Sequence, residues 1–422
     1  MPDQWMVVVS GPKYIDELKK MPDESMSLFR GLEELLSVNH ILGEEVVSDP
    51  YHLAVVHANL SRNLPSLTDA VRDEMFDAFE QLIPLKGDEW VTAPGLKTTV
   101  AIIARATNRL FVGPTLCRNQ GFIDLVTNFV FDFSKTRFVI NLFPPFLKPV
   151  VTPFVNTVPK RVQEALGFVG GMLDERLKGL DQFGDTWADK PNDGFMWLIE
   201  EAHHRGKSRY NVTLFLLMTI FTSLHTTAMS FTHALYHLAS SPQYVESLRE
   251  EADRVLKEDG EFNRDSLNKL YKIDAFLRET MRLAGVNGVT VWRKAMQDCS
   301  FSDGTFIPRG TFVVANATDT QLDEENYANP EEFNPDRFMK ANNEGALPMT
   351  TTGVDYLPFG VGKHACPGRF FAAFEMKLML AYIVTHYDVK WPTEGYKPAN
   401  QWFFSSIIPD RNAQVMFRRR QK

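Results

Sequence analysis

The segment Phe359-Gly360-Val361-Gly362-Lys363-His364-Ala365-Cys366-Pro367-Gly368 sets one sulfur among glycines and basic side chains, just ahead of the apolar helical run Phe370–His386. The thiolate is the nucleophilic and metal-binding form of cysteine. Backbone N–H groups around Cys366 and the N-terminal dipole of the following helix would both stabilise that charge. Gly360, Gly362 and Gly368 let the backbone approach a flat partner without Cβ clashes. Phe359 is placed to cover the sulfur, and His364 to reach an anionic group. The chemistry implied is one sulfur ligand to a metal in a flat ring, shielded from solvent. The bland alternative is an inert buried cysteine, which suits Cys117 and Cys299 because neither has such surroundings.

Three other groupings carry chemistry. Glu279 and Arg282 stand at i and i+3, so they share a helix face and can pair. Taken alone, such a pair is more often a solvated surface contact. Thr222-Ser223-Leu224-His225-Thr226-Thr227 places hydroxyls and an imidazole inside a long apolar run; a histidine there can relay protons near neutral pH or can be a satisfied core residue. His233 and His237 stand at i and i+4, but no glutamate follows His233, which argues against a metalloprotease site.

Composition removes several classes. Apolar residues make up 44% of the 422 and charged residues 23%, as in an ordinary globular protein. Lys plus Arg is 45 against 53 for Asp plus Glu, and the net charge of −8 argues against a nucleic-acid partner. The basic run Arg418–Arg420 reads as a solvated tail. Three cysteines without zinc or disulfide spacing fit a reducing compartment, so the N-x-[ST] matches at Asn59, Asn211 and Asn316 read as chance. No window has the length and apolarity of a membrane span, and Met1–Ser10 lacks the features of a signal peptide.

The elements that must position these residues follow from periodicity and breakers. Trp5–Ser10 reads as a strand and Lys13–Lys20 as a helix. Tyr51 to about Leu85 and Leu96–Leu110 read as helical, and the prolines at 144, 145, 149 and 153 mark a loop region between helices. The longest helix is expected over Asn211–Ala239, then Tyr244–Lys257 and Leu267–Leu283. Val289–Ala295 and Thr311–Asn316 read as strands, with a hairpin over Cys299–Ile307. The expected class is mainly α with a smaller β-rich portion towards the C-terminal side, in a single large domain spanning residues 1–422.

The glycine-rich segment fits F-G-x-G-x-H-x-C-P-G, whose fixed types make a chance match on the order of one in a billion per start position. It resembles the haem-binding signature of the cytochromes P-450. In the same order, Glu279-Thr280-Met281-Arg282 resembles that family's E-x-x-R motif and Phe333–Phe338 its F-x-P-x-R-F stretch. The resemblance implies a buried charge network of Glu279, Arg282 and Arg337 bracing the loop of Cys366. It also implies Arg293 and His364 as ligands of the haem propionates. The family's W-x-x-x-R is absent, and His57 and Arg62 are the nearest candidates for its role. Thr226 matches the threonine that serves oxygen activation, with Thr227 beside it. Ser223 and His225 stand where the family has glycine and an acid. A similar His-Thr-Thr run occurs in fungal members resembling ent-kaurene oxidases and related terpenoid hydroxylases.

The resemblance implies the cytochrome P-450 fold, haem b as cofactor, and monooxygenation of an apolar small molecule, a terpenoid or other secondary metabolite. Electrons would come from NADPH through NADPH-cytochrome P-450 reductase, with cytochrome b5 as a further donor. Pocket walls are expected from Phe221, Leu224, Gly285–Val289 and Phe404–Ile408. Relative to the family, an anchor, a hinge, a first helix and a first strand would precede this segment. With an anchor the enzyme would sit on the cytosolic face of the endoplasmic reticulum; the chain as it stands would be cytoplasmic. Two rival readings keep the haem: an isomerase, desaturase or peroxygenase, or a non-catalytic haem-binding protein.

Overall fold

The computed structural model describes residues 5–85, 87–341 and 345–421. Its helices outnumber and outweigh its short strands, as the class expectation requires. The chain forms two compact units. One comprises the residues up to Leu32, Phe79–Thr99 and those from Thr227 on; the other comprises Glu33–Ala78 and Val100–Thr226.

In the first unit, Phe312–Asn316 lies parallel to Met6–Val9 and antiparallel to Val289–Ala295, which pairs in turn with Met26–Ser27. The register shifts between Thr290 and Arg293, and Val291 there has φ 53°. A β-branched residue rarely adopts that conformation, and a bulge of this kind re-aims the side chains beside it. Arg293 lies at the C-terminal side of this irregularity. Val9, Ile15, Leu18 and Met26 pack with Val313 and Ala315 into a core that also takes in Leu357 and Val361. The Cys366 loop is thereby seated on the sheet.

The helix Arg369–His386 is buried on all sides from Ala373 to Thr385. Such a helix belongs in the centre of a large core. Its one buried ammonium, Lys377, donates to Asp274 at 2.8 Å.

Several boundaries differ from the sequence expectation for identifiable reasons. The stretch Leu267–Leu283 divides into Arg264–Asn268 and Tyr271–Leu283. Asn263 caps the first with a capping box. At the second, Glu251 of the helix Pro242–Asp259 accepts from the amides of Lys272, at 2.8 and 3.0 Å, and Ile273, at 3.1 Å. These amides have no partner inside the helix, and a carboxylate at a helix N-terminus satisfies them.

The helical stretch from Tyr51 contains a π-turn, Val56–Leu60, before Ser61–Leu82. The proline-rich region is not all loop: Lys148–Val155 is helical, with Pro149 in the first turn where a missing N–H costs nothing. Gly95–Leu116 runs past Leu110 and kinks at Gly113, whose φ is 77°.

The longest helix is Arg209–Ser240, and the boundary between the units falls within it at Thr226 and Thr227. Among the described residues it alone has the length and composition of a membrane span. However, 61% of its most apolar stretch is buried inside the protein, as in a core helix.

Candidate functional site

The cysteine loop is held by its own backbone. The Cys366 amide donates to the Phe359 carbonyl at 2.8 Å, Gly360 to Leu357 at 2.8 Å and Ala365 to Gly362 at 3.0 Å. Gly360 and Gly362 have φ 69° and 74°, which explains their residue type by conformation. A Cβ on Gly362 would also come 2.8 Å from Lys19 Cγ. Gly368 differs: its φ is −84°, and its amide faces the sulfur.

Burial pushes the Cys366 thiol up. The amides of Gly368 and Arg369 and the Arg369 charge push it down. Despite this dense surrounding, Cys366 keeps an exposed face. A sulfur enclosed by backbone donors yet open on one side is what an axial ligand requires. Among the described residues there is no cluster of three His, Cys, Asp or Glu side chains for a metal ion. A haem iron needs only this one protein ligand.

Behind the loop lies the charge network. Glu279 and Arg282 are both fully buried, with Arg282 Nε on Glu279 Oε2 at 2.7 Å and Nη2 on Oε1 at 2.9 Å. Arg337 Nε donates to Glu279 Oε1 at 3.0 Å, and the Asn334 amide reaches the same oxygen at 2.9 Å. The remaining Arg282 and Arg337 donors go to the carbonyls of Gln321, Ala328, Asn329 and Glu332. This saturation is what makes two cations and one anion tolerable in the interior.

The link from network to loop is Gln321, which the sequence reading missed. Its Nε2 donates to the Arg282 carbonyl at 2.8 Å, and its Oε1 accepts from the Leu357 amide at 3.1 Å. Leu357 lies two residues before Phe359. Arg278 adds a second link: its guanidinium lies 3.7 Å from the Tyr356 ring centroid and donates to the carbonyls of Pro348 and Thr351.

Arg293 is 2% exposed; its Nη1 donates to the Trp292 carbonyl, and its Nε has no partner. Burial lowers its pKa, with Asp23 as the opposing influence. A buried guanidinium with an orphan N–H is ready for a carboxylate. His364 is half-buried and meets Asp23 through Nε2 at 2.8 Å. Burial lowers its pKa, and the Asp23 contact raises it. Arg293, His364 and Cys366 therefore fit a haem: a sulfur for iron, and a guanidinium and an imidazole for propionates.

The central helix distributes its polar residues over different faces. Thr226 is exposed, and its hydroxyl donates to the Thr222 carbonyl at 2.9 Å, a back-bond within the helix. Thr227 is 4% exposed. His225 is packed edge-on against Phe131 and tilted against Phe221, and its Nε2 is enclosed without a partner. Burial lowers its pKa to about 4, opposed by a hydrogen bond to the Thr127 backbone. Neighbouring helix positions point about 100° apart, and no hydrogen bond joins His225 to Thr226 among the described residues. His225 is thus packed between Phe131 and Phe221, with its lowered pKa following from that burial. His57 and Arg62 are both exposed. His52, unremarked in the sequence, is 9% exposed, neighbours the Phe215 ring at 4.7 Å, and has an unpartnered Nδ1.

Comparison with known proteins agrees with these features. The family model described as cytochrome P-450 matches residues 110–417. Cytochrome P-450 monooxygenase 151 of Postia placenta is 42% identical over 427 residues, covering 100% of this chain and 86% of that protein. Cytochrome P-450 monooxygenase CYP512U6 of Ganoderma lucidum is 32% identical, covering 99% and 83%. Among solved structures, retinoic acid bound cyanobacterial CYP120A1 superposes with a TM-score of 0.73 at 20% identity, covering 98% of this chain and 89% of that one. That last likeness concerns the fold.

Proposed function

The chain belongs to the cytochrome P-450 family, an oxidoreductase family that incorporates oxygen with a haem cofactor, and on that premise we propose that Cys366 ligates the haem iron of a monooxygenase. The substrate is an apolar small molecule, of the terpenoid or other secondary-metabolite kind, and electrons pass from NADPH through a reductase, with cytochrome b5 as a further donor. The observation that carries this reading is the Cys366 sulfur, open on one face and held by the Gly368 and Arg369 amides.

Haem, when bound, supplies the reductive activation of dioxygen. The chain's own residues do the rest. Cys366 would hold the iron, and the amides of Gly368 and Arg369 favour the charged form of its sulfur against burial. Arg293 and His364 take the propionates. The Thr226 hydroxyl, by its match to the family's threonine, would be the proton-handling group; here its proton is held on the Thr222 carbonyl at 2.9 Å. Glu279, Arg282 and Arg337 keep the loop still. Apolar side chains lining such a site would exclude water and orient the substrate.

A membrane-surface location, on the cytosolic face of the endoplasmic reticulum, finds support in the second unit. Leu142, Phe146, Val150 and Phe154 are all more than 60% exposed. Residues 134–163 around them contain Lys and Arg but neither Asp nor Glu. Exposed apolar side chains flanked by cations suit an anionic lipid surface.

The test is the absorption spectrum of the reduced, carbon-monoxide-bound protein. The thiolate-type band is expected in the unaltered chain and its loss in Cys366→Ala. Substrate oxidation is expected to require NADPH and reductase; turnover with peroxide alone would instead mark a peroxygenase.

A further inference from the structure

Asp23 is absent from the motifs that identify the site, yet it touches two side chains of the cysteine loop. Its Oδ2 accepts from Lys363 Nζ at 2.9 Å, and its Oδ1 meets His364 Nε2 at 2.8 Å. Partial burial pushes its carboxyl up, but the contacts with Lys363 and His364 hold it below its ordinary value. Asp23 is also the acid that acts on the buried Arg293. Phe29 packs edge-on against His364, with ring centroids 6.0 Å apart.

The carboxylate is rigidly mounted. The amides of Ser25 and Met26 both return to the Pro22 carbonyl, at 3.0 and 2.8 Å, closing a turn around Asp23. Met26 and Ser27 then pair with Ala295 and Lys294 of the strand that carries Arg293, and the Met296 amide donates to the Ser25 carbonyl at 2.8 Å. One side chain thus ties the cysteine loop to the Arg293 strand, at the place where the proposed propionate ligands meet.

We propose that Asp23 is a positioning residue for the haem: it fixes His364 and Lys363 relative to Arg293, and its fixed negative charge holds down the reduction potential of the iron. The inference rests on the haem-thiolate reading above. A carboxylate beside the Lys363 and Arg293 cations offsets their field, and a reduction that adds an electron is disfavoured by nearby negative charge. Its second effect is mechanical. Without Asp23, Lys363 and His364 lose their shared anchor and the loop under the haem loosens.

The experiment uses the full-length holoprotein and reads two quantities besides turnover: the iron reduction potential by spectroelectrochemical titration, and the rate of haem loss to an excess of apomyoglobin. Asp23→Asn is expected to keep the thiolate-type spectrum and to shift the reduction equilibrium severalfold towards the ferrous form, a tenfold shift being 59 mV for one electron. Haem loss is expected to quicken severalfold. Asp23→Glu, which keeps the charge, is expected to keep the potential. Glu258→Gln removes an equal charge from an exposed pair with Arg254 and is expected to change neither reading.

Lys363→Gln gives an independent handle should Asp23→Asn fail to load haem. Removing that cation is expected to move the potential the opposite way while also speeding haem loss. A purely structural role for Asp23 would change haem retention and leave the potential in place, which overturns the proposal. So does a Lys363→Gln protein whose potential is unmoved. Absence of the thiolate-type band from the unaltered protein would instead overturn the haem-thiolate reading itself.

Discussion

His237 stacks on Phe333, with ring centroids 4.1 Å apart and planes 9° from parallel. The contact joins the long central helix to the F-x-P-x-R-F stretch, one residue from the amide that reaches Glu279. It also fixes the charge state of the imidazole. Burial pushes His237 down to about 3, with His233 and Lys397 adding to it, and burial pushes His233 down to about 4. Both are neutral in the fold and titrate near 6.5 once unfolded. The unfolded chain therefore binds more protons as pH falls below about 6.5, and stability drops from there towards about 4. Over that window each histidine removes up to about 1.4 kcal/mol for every pH unit of acidification. Urea melts at pH 7.5 and 5 are expected to differ by a few kcal/mol. In His237→Phe, which keeps the stack and removes the base, that difference should shrink; an undiminished difference would refute the assignment.

Removing one member of the Glu279 network leaves buried charge without a partner. Arg337→Ala and Glu279→Gln are each expected to cost about 3–5 kcal/mol, or to prevent recovery of haem-loaded protein. Replacing both Glu279 and Arg282 by apolar residues should cost less than the sum of the single changes, because the two share their contacts. Denaturant unfolding of the Glu279 and Arg282 single variants and of the double variant measures this, and simple additivity would count against a coupled network.

Glu251 acts on the same helix from outside it. Glu251→Ala removes the acceptor for the Lys272 and Ile273 amides and is expected to cost about 1–2 kcal/mol, the range of a lost N-terminal cap. Amide hydrogen exchange should quicken at the first turn of Tyr271–Leu283 and spare its last turn. Uniform quickening along the helix would point to global destabilisation instead.

The two kinds of glycine in the cysteine loop should respond differently to one added methyl. Gly362→Ala meets both a left-handed backbone and Lys19, and is expected to cost about 1–2 kcal/mol for the backbone alone. Gly368→Ala places a Cβ 4.0 Å from the sulfur on an unstrained backbone and should cost less. Urea midpoints in the opposite order would show that φ is not what selects glycine at 362.

What could be read in the sequence is what is local. Phe359–Gly368 and Glu279–Arg282 carry their meaning in residue types a few positions apart, and so does the strand pattern around Arg293. What could not be read acts across the chain. Asp23 meets His364 across 341 positions, Gln321 meets Leu357 across 36, and Glu251 meets Lys272 across 21. The break near Leu270 was hidden for the same reason, since the carboxylate that stabilises the new helix start lies on another helix. His225 is a different case. Its type suited a relay, but only packing against Phe131 and Phe221 shows which way its ring faces.

The Gln321 side chain gives a hydrogen bond to one stretch of backbone and takes one from another. A carboxylate at that position has nothing to give to the Arg282 carbonyl and would repel it. An ammonium has nothing to receive from the Leu357 amide, asparagine is one methylene short, and a hydroxyl is shorter still. The backbone leading into the cysteine loop is therefore held through a side chain whose reach and paired donor and acceptor few other residues supply. An engineer redesigning the substrate pocket should leave that amide alone, although it touches neither metal nor substrate.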